Sequence, residues 1–133
     1  MIVIDTHTLI WWVSDDAQLS KKAKKIIEKE LRHQDGQILV SSITAWEISM
    51  LVAKDRLTLA VDVDTWLSLV ENIDNVSFVP IDNKVAIEST RLPGDFHKDP
   101  ADRMIVALAR TAAAPLVTAD DKIRSYSHVK TIW

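Results

Sequence analysis

Short apolar runs and longer amphipathic stretches alternate along the chain from its first residues to its last. Ile2-Val3-Ile4 is apolar at every position, the pattern of a strand buried on both faces of a parallel sheet. Apolar positions then fall at helical spacing over residues 8–13 and again over residues 20–33, where Ser20 stands as an N-cap. Asp35-Gly36 turns the chain into a second strand, Gln37-Ile38-Leu39-Val40. The periodicity predicts further helices over residues 44–54, 64–72, 83–90 and 100–113, the first of them with Ile48, Leu51 and Val52 on its apolar side. Strands are expected at residues 76–80, 116–118 and 129–132, and Leu92-Pro93-Gly94-Asp95 reads as a loop. Strand–helix alternation of this kind predicts an α/β fold. The expected form is a three-layer α/β/α sandwich with a mainly parallel central sheet, in one domain over residues 1–133.

Composition narrows what such a fold can do. With 133 residues, 47% apolar and 26% charged, the chain can bury a real core. It has no cysteine, which removes disulfides and thiolate metal sites. The opening apolar run stops at Asp5, unlike a signal peptide, and no apolar stretch is long enough to span a bilayer, so a cytoplasmic location is expected. The only glycines are Gly36 and Gly94, so there is no glycine-rich phosphate loop and nucleotide binding of the Rossmann or P-loop kind is disfavoured. A net charge of −3 argues against a broad basic surface for nucleic acid, but not against a nuclease whose acidic site is inverted by a cation. Lys21, Lys22, Lys24 and Lys25, followed by Lys29, Arg32 and His33, read as a solvated helix face. An RNA-facing or partner-facing patch is the functional alternative, since lysines in the first turns oppose the helix dipole.

Four acids stand at the ends of these elements: Asp5 after the first strand, Glu47 in Ser41-Ser42-Ile43-Thr44-Ala45-Trp46-Glu47-Ile48, Asp102 in His97-Lys98-Asp99-Pro100-Ala101-Asp102-Arg103, and Asp120 after the strand ending at Thr118. In open α/β sheets, ligands bind beyond the carboxyl ends of the strands, where strand order reverses. If the strands before Asp5 and Asp120 are neighbours, their carboxylates share one crevice with Glu47 and Asp102. Gathered acids repel unless some stay protonated or a cation joins them, and Mg²⁺ is suited to a few carboxylates plus waters and phosphate oxygens. Each acid also has a purely structural reading. Thr44–Glu47 fits a capping box, Asp102 complements the dipole of its helix, and Asp120 or Asp121 can cap the helix that follows. Asp99, before Pro100, is assigned to capping alone. Thr6, Ser41, Ser42 and Thr118 can donate to the carboxylates, Arg103 can orient an acid or a phosphate or form a surface ion pair, and His97 can touch substrate, although a loop histidine is ordinarily without a catalytic role.

The segments Ile4–Trp12, Ser41–Ile48, His97–Ile105 and Leu116–Asp120, in this order and over nearly the whole chain, resemble PIN-domain proteins and, more narrowly, the VapC toxins of bacterial type II toxin–antitoxin pairs. The resemblance implies an α/β/α PIN fold and a Mg²⁺- or Mn²⁺-dependent endoribonuclease. It makes Asp5, Glu47, Asp102 and Asp120 the catalytic, metal-holding quartet, with Thr118 as supporting hydroxyl and Asp121 as the competitor of Asp120. It also implies an RNA substrate, a homodimer and a VapB-like antitoxin whose C-terminal segment lies in the active-site groove. Leu9, Ile10, Trp11, Trp12, Leu51, Val52 and Leu57 are the candidate contacts, with core burial the simpler role for about half of them. Two other classes compete: a PIN-like module that binds RNA or protein without cutting, and a phospho-accepting receiver domain, for which Asp82 is the only candidate acceptor.

Overall fold

The computed structural model describes residues 1–133 as five strands and seven helices in the order β1 (Ile2–Ile4), α1 (Thr6–Val13), α2 (Lys21–Arg32), β2 (Ile38–Ser41), α3 (Ser42–Ala53), α4 (Val63–Glu71), β3 (Val76–Val79), α5 (Asn83–Thr90), α6 (Pro100–Thr111), β4 (Leu116–Val117), α7 (Asp121–Arg124) and β5 (Thr131–Ile132). The strands form one sheet in the order β3-β2-β1-β4-β5, and every neighbouring pair is parallel. Strands β1 to β3 progress outward on one side, then the chain crosses back to add β4 and β5 on the other. Strand order therefore reverses between β1 and β4, and the ends of these two strands flank a natural crevice.

The all-apolar run of β1 is explained by its central place. Ile2 and Ile4 enter one core with Leu9, Ile27, Ile38, Val40 and Ile48, while Val3 enters a second core with Val85, Ile105, Val106, Leu116 and Ile123. One core packs α1, α2 and α4 against the sheet, the other α5, α6 and α7, which makes the three layers expected. In α2, Ala23 and Ile27 are buried while Lys21, Lys22, Lys24 and Lys25 are exposed, and the hydroxyl of Ser20 caps Ala23 N at 3.0 Å. Gly36 is required on steric grounds: a Cβ there would lie 1.8 Å from the carbonyl oxygen of Glu30.

The helix boundaries differ from expectation in ways that shape the site. Helix α1 starts at Thr6, not at residue 8, because Asp5 caps it directly at the end of β1. Helix α3 starts at Ser42, capped by the Ser41 hydroxyl at 3.2 Å from Ile43 N. Thr44 and Glu47 thus lie inside the helix, and the capping-box alternative for Glu47 does not form. Helix α6 ends at Thr111 rather than residue 113, where Ala113 adopts a positive φ of 51°. Strand β5 contains only Thr131–Ile132, shorter than the expected residues 129–132. Asp82, the receiver-type candidate, caps α5 through Val85 N at 2.9 Å beyond the edge strand β3, away from the crevice.

Candidate metal centre

At the carboxyl ends of β1 and β4 lies a cleft of about 440 Å³ lined by Asp5, Thr6, His7, Trp11, Glu47, Asp99, Asp102, Ile105, Ala119 and Asp120. All four acids singled out from the sequence meet here, from four separate elements. No lysine or arginine is among the lining residues.

Asp5 is the most enclosed, 8% exposed at the end of the central strand. Its Oδ1 accepts from Thr8 N at 3.0 Å and its Oδ2 accepts from the Thr118 hydroxyl. The Thr8 hydroxyl in turn donates to the carbonyl of Val117 at 3.0 Å, so α1, β1 and β4 are tied together at the floor of the cleft. Burial raises the pKa of Asp5 above its usual range even though Thr118 and Thr8 oppose the shift. Glu47 reaches in from the second turn of α3, and its Oε1 accepts from the Thr6 hydroxyl at 2.5 Å. Thr6 Oγ1 also lies 3.0 Å from Thr44 Oγ1, one turn before Glu47, so a buried pair of hydroxyls fixes the glutamate's direction. Desolvation raises the Glu47 pKa, with the Thr6 bond opposing and the charges of Asp99 and Asp5 adding to the rise.

Asp102 sits in the first turn of α6, whose N-cap Asp99 accepts from Asp102 N at 3.0 Å. Its carboxyl is raised to about 7, first by burial and then by the negative charges of Asp99, Asp120, Glu47 and Asp5. The other three quartet acids are thus each close enough to act on Asp102 through space. Asp120 caps α7 through Ile123 N at 3.1 Å, and its own N–H donates to Thr118 Oγ1 at 3.0 Å. Asp121, in the first turn of α7, does not line the cleft, whereas Asp120 does.

The hydroxyls of Thr6 and Thr118 donate to Glu47 and Asp5. Ser41 and Ser42 do not reach the carboxylates, Ser41 being committed to its cap. Arg103 does not contact an acid either: its guanidinium donates to the main-chain carbonyls of Ser89 at 2.8 Å, Phe96 at 3.0 Å and His97 at 3.2 Å. It is a clamp on the loop before α6, one that no feature of the sequence distinguishes from a surface ion pair. His97, expected at most to touch substrate, is brought to the site: its Nε2 lies 3.1 Å from Asp102 Oδ2, close enough for an ion pair but not aligned for a hydrogen bond. His97, Asp102 and Asp120 each offer one donor atom, all within 4.8 Å of one another. Asp99, besides capping, lines the mouth, and His7 and Trp11 form its wall toward α1. No local pattern of the sequence gives His97 this place, which depends on the loop folding onto the first turn of the Asp102 helix.

The donor set fits a hard divalent cation. Carboxylates from four elements line one cleft without a lysine or arginine, burial and neighbouring acids push the pKa values of Glu47 and Asp102 upward, and one buried imidazole nitrogen has no hydrogen-bond partner.

A parallel five-stranded sheet with an acidic cleft at its β1/β4 switch point is the arrangement of the PIN domain, whose family description matches residues 2–129, and the chain belongs to that family. It is 35% identical to Ribonuclease VapC22 of Mycobacterium tuberculosis over 135 residues, covering 99% of this chain and 98% of that protein. Among solved structures, VapBC2 of Rickettsia felis bound to a promoter DNA fragment superposes with a TM-score of 0.70 at 16% identity, covering 99% of this chain and 98% of that one. DNA-bound VapBC of Salmonella typhimurium superposes with a TM-score of 0.68 at 19% identity, covering 99% and 98%.

Proposed function

We propose that this chain is a Mg²⁺- or Mn²⁺-dependent endoribonuclease, the toxin of a type II toxin–antitoxin pair, which hydrolyses RNA phosphodiester bonds with Asp5, Glu47, Asp102 and Asp120 holding the cation. The observation that carries the reading is the meeting of four carboxylates in a cleft without a lysine or arginine, with Asp102 raised to about 7 by burial and by the charges of its acidic neighbours. The 35% identity to a protein named as a ribonuclease, over nearly its full length, supports the same activity.

The cation, when bound, supplies Lewis acidity toward the scissile phosphate and toward the attacking water, whose in-line attack leaves 5′-phosphate and 3′-hydroxyl ends. The chain's own groups prepare the geometry. Thr118 and Thr8 N hold Asp5 in one orientation, and Thr6 with Thr44 does the same for Glu47, so these acids need little reordering when the site fills. The exposed Asp99 and Asp120 at the mouth repel a phosphodiester until the negative charge is offset, which makes RNA entry depend on the same ion as the chemistry.

The antitoxin reading is supported by a second groove, lined by Ile10, Trp11, Leu51, Arg56, Leu57 and Trp66, that shares His7 and Trp11 with the cleft. An inhibitory segment lying there reaches the acids directly, and several of the structural relatives are toxin–antitoxin complexes. Of the seven apolar contact candidates, Leu9 and Ile10 belong to the core, while Trp11, Trp12, Leu51, Val52 and Leu57 are half-buried. The same reading includes a homodimer acting in the cytoplasm; no helix is long and apolar enough to cross a membrane.

The test is cleavage of RNA by the purified protein with Mg²⁺ or Mn²⁺, in EDTA, and after Asp5→Asn. Asn preserves the cap on α1 while removing the charge, so loss of cleavage with an intact fold is expected. Cleavage that persists in EDTA or in the variant overturns the proposal, and metal binding without cleavage of any RNA favours a non-cutting binding module.

A further inference from the structure

We propose that His97 is a nitrogen ligand to the cation held by Asp102 and Asp120, which makes the centre a mixed imidazole–carboxylate site that prefers Mn²⁺ to Mg²⁺. The inference deepens the metal-dependent reading above and rests on it.

Three observations converge. One donor atom from each of His97, Asp102 and Asp120 lies within 4.8 Å of the other two. The separation of His97 Nε2 from Asp102 Oδ2 is 3.1 Å, and adjacent ligands on an octahedral ion with bonds of about 2.1 Å stand about 3.0 Å apart. That edge is already the right length for both atoms to share an ion. Third, Nε2 is buried and makes no hydrogen bond, although the carboxylate beside it is close enough to accept one. A buried imidazole nitrogen without a partner is uncommon, and a lone pair aimed at a cation gives it one.

The histidine is also held in place. Arg103 donates to the main-chain carbonyls of both Phe96 and His97, and the His97 ring packs edge-on against Phe96 with centroids 4.5 Å apart. The clamp residue adjoins Asp102 in sequence, so the loop and the first turn of α6 move as one piece. Selectivity follows from ligand chemistry. Mg²⁺ takes oxygen donors and gives up its waters reluctantly, whereas first-row transition ions accept imidazole readily.

Pulsed electron paramagnetic resonance on the Mn²⁺-loaded protein reads the bond directly. Modulation from a directly bound ¹⁴N is expected in the wild type and in His7→Gln, and absent in His97→Gln. The same variant should bind Mn²⁺ about tenfold or more weakly, while its Mg²⁺ affinity, read by competition, changes less than about threefold. Arg103 bonds the main-chain oxygen of residue 97, so the glutamine keeps the clamp, and circular dichroism checks the fold. Mn²⁺ binding that needs Asp102 yet shows no nitrogen coupling overturns this inference alone, as does coupling that survives His97→Gln. Absence of any Mn²⁺ binding removes both this inference and the metal-dependent reading.

Discussion

Asp102→Asn should make the metal-free protein more stable at pH 8 and only slightly more stable at pH 5. The folded-state pKa of Asp102 is about 7 against 3.8 for the free side chain, so between these values the native state holds a proton that the unfolded state has released. Stability therefore falls as pH rises through this window, the reverse of a salt-bridged aspartate. Unscreened, the shift is worth about 4 kcal/mol above pH 7; the cleft is open to water, and screening reduces this to about 2 kcal/mol. Asparagine removes the penalty, but it also removes a negative charge from the first turn of α6, which costs about 0.5 kcal/mol. The net gain at pH 8 is about 1.5 kcal/mol, or about 5 °C in Tm for a chain of this size. At pH 5 the native carboxyl keeps its proton while the unfolded one has released its own, so about a third of the gain remains, roughly 0.7 kcal/mol. Denaturant unfolding of both proteins in EDTA at the two pH values measures the difference. Saturating Mn²⁺ should reverse the order at pH 8, because only the wild type retains the full ligand set. Equal stabilities of wild type and variant at pH 8 in EDTA would refute the claim that the acids are held together against their own repulsion.

Other substitutions separate the remaining roles. Thr6→Val removes the donor that orients Glu47 and the partner of Thr44; it should cost about 1 kcal/mol in denaturant unfolding and lower RNA cleavage about tenfold. Arg103→Ala leaves the carbonyls of Ser89, Phe96 and His97 without their shared donor and should cost about 2–4 kcal/mol, and Arg103→Lys should recover little of it because an ammonium has no planar fork. Asp120→Asn should reduce cleavage about tenfold or more, with Asp121→Asn within about twofold of wild type; the opposite ranking in a cleavage assay would transfer the fourth acidic position to Asp121.

The layers of the fold were legible because hydrophobic periodicity is a local property. Ile2-Val3-Ile4 announces a strand covered on both faces, and Ser20 before a lysine-rich amphipathic stretch announces the start of α2. What periodicity does not encode is which strands become neighbours. The pairing of β1 with β4 brings Asp5 to Thr118 across 113 positions of sequence, and that contact only becomes definite once the chain crosses the sheet after β3. The side chains missed or misplaced share this origin. Thr44 looked like a cap because α3 was expected to begin there; its start at Ser42 turns the residue inward toward Thr6. Arg103 and His97 depend on how the loop before α6 folds back, a matter of three carbonyl positions rather than of residue type.

The structural and functional readings of the acids, set against each other in the sequence, turn out to be compatible. Asp5 and Asp120 both cap helices, and both line the cleft. Capping uses one oxygen in a direction fixed by the helix N-terminus and leaves further lone pairs free, while the terminal N–H groups favour the ionised form of the carboxylate. A strand that ends at a switch point and passes at once into a helix thus holds an aspartate rigidly at the one edge where ligands bind. Asp99 follows the same logic: assigned to capping alone, it caps α6 through Asp102 N and also faces the cleft, where its charge helps raise Asp102. The caps orient the acids at little cost in helix stability, but they do nothing to relieve repulsion between them. That relief must come from protons or from a cation, and a carboxyl poised at about 7 can exchange one for the other near neutral pH.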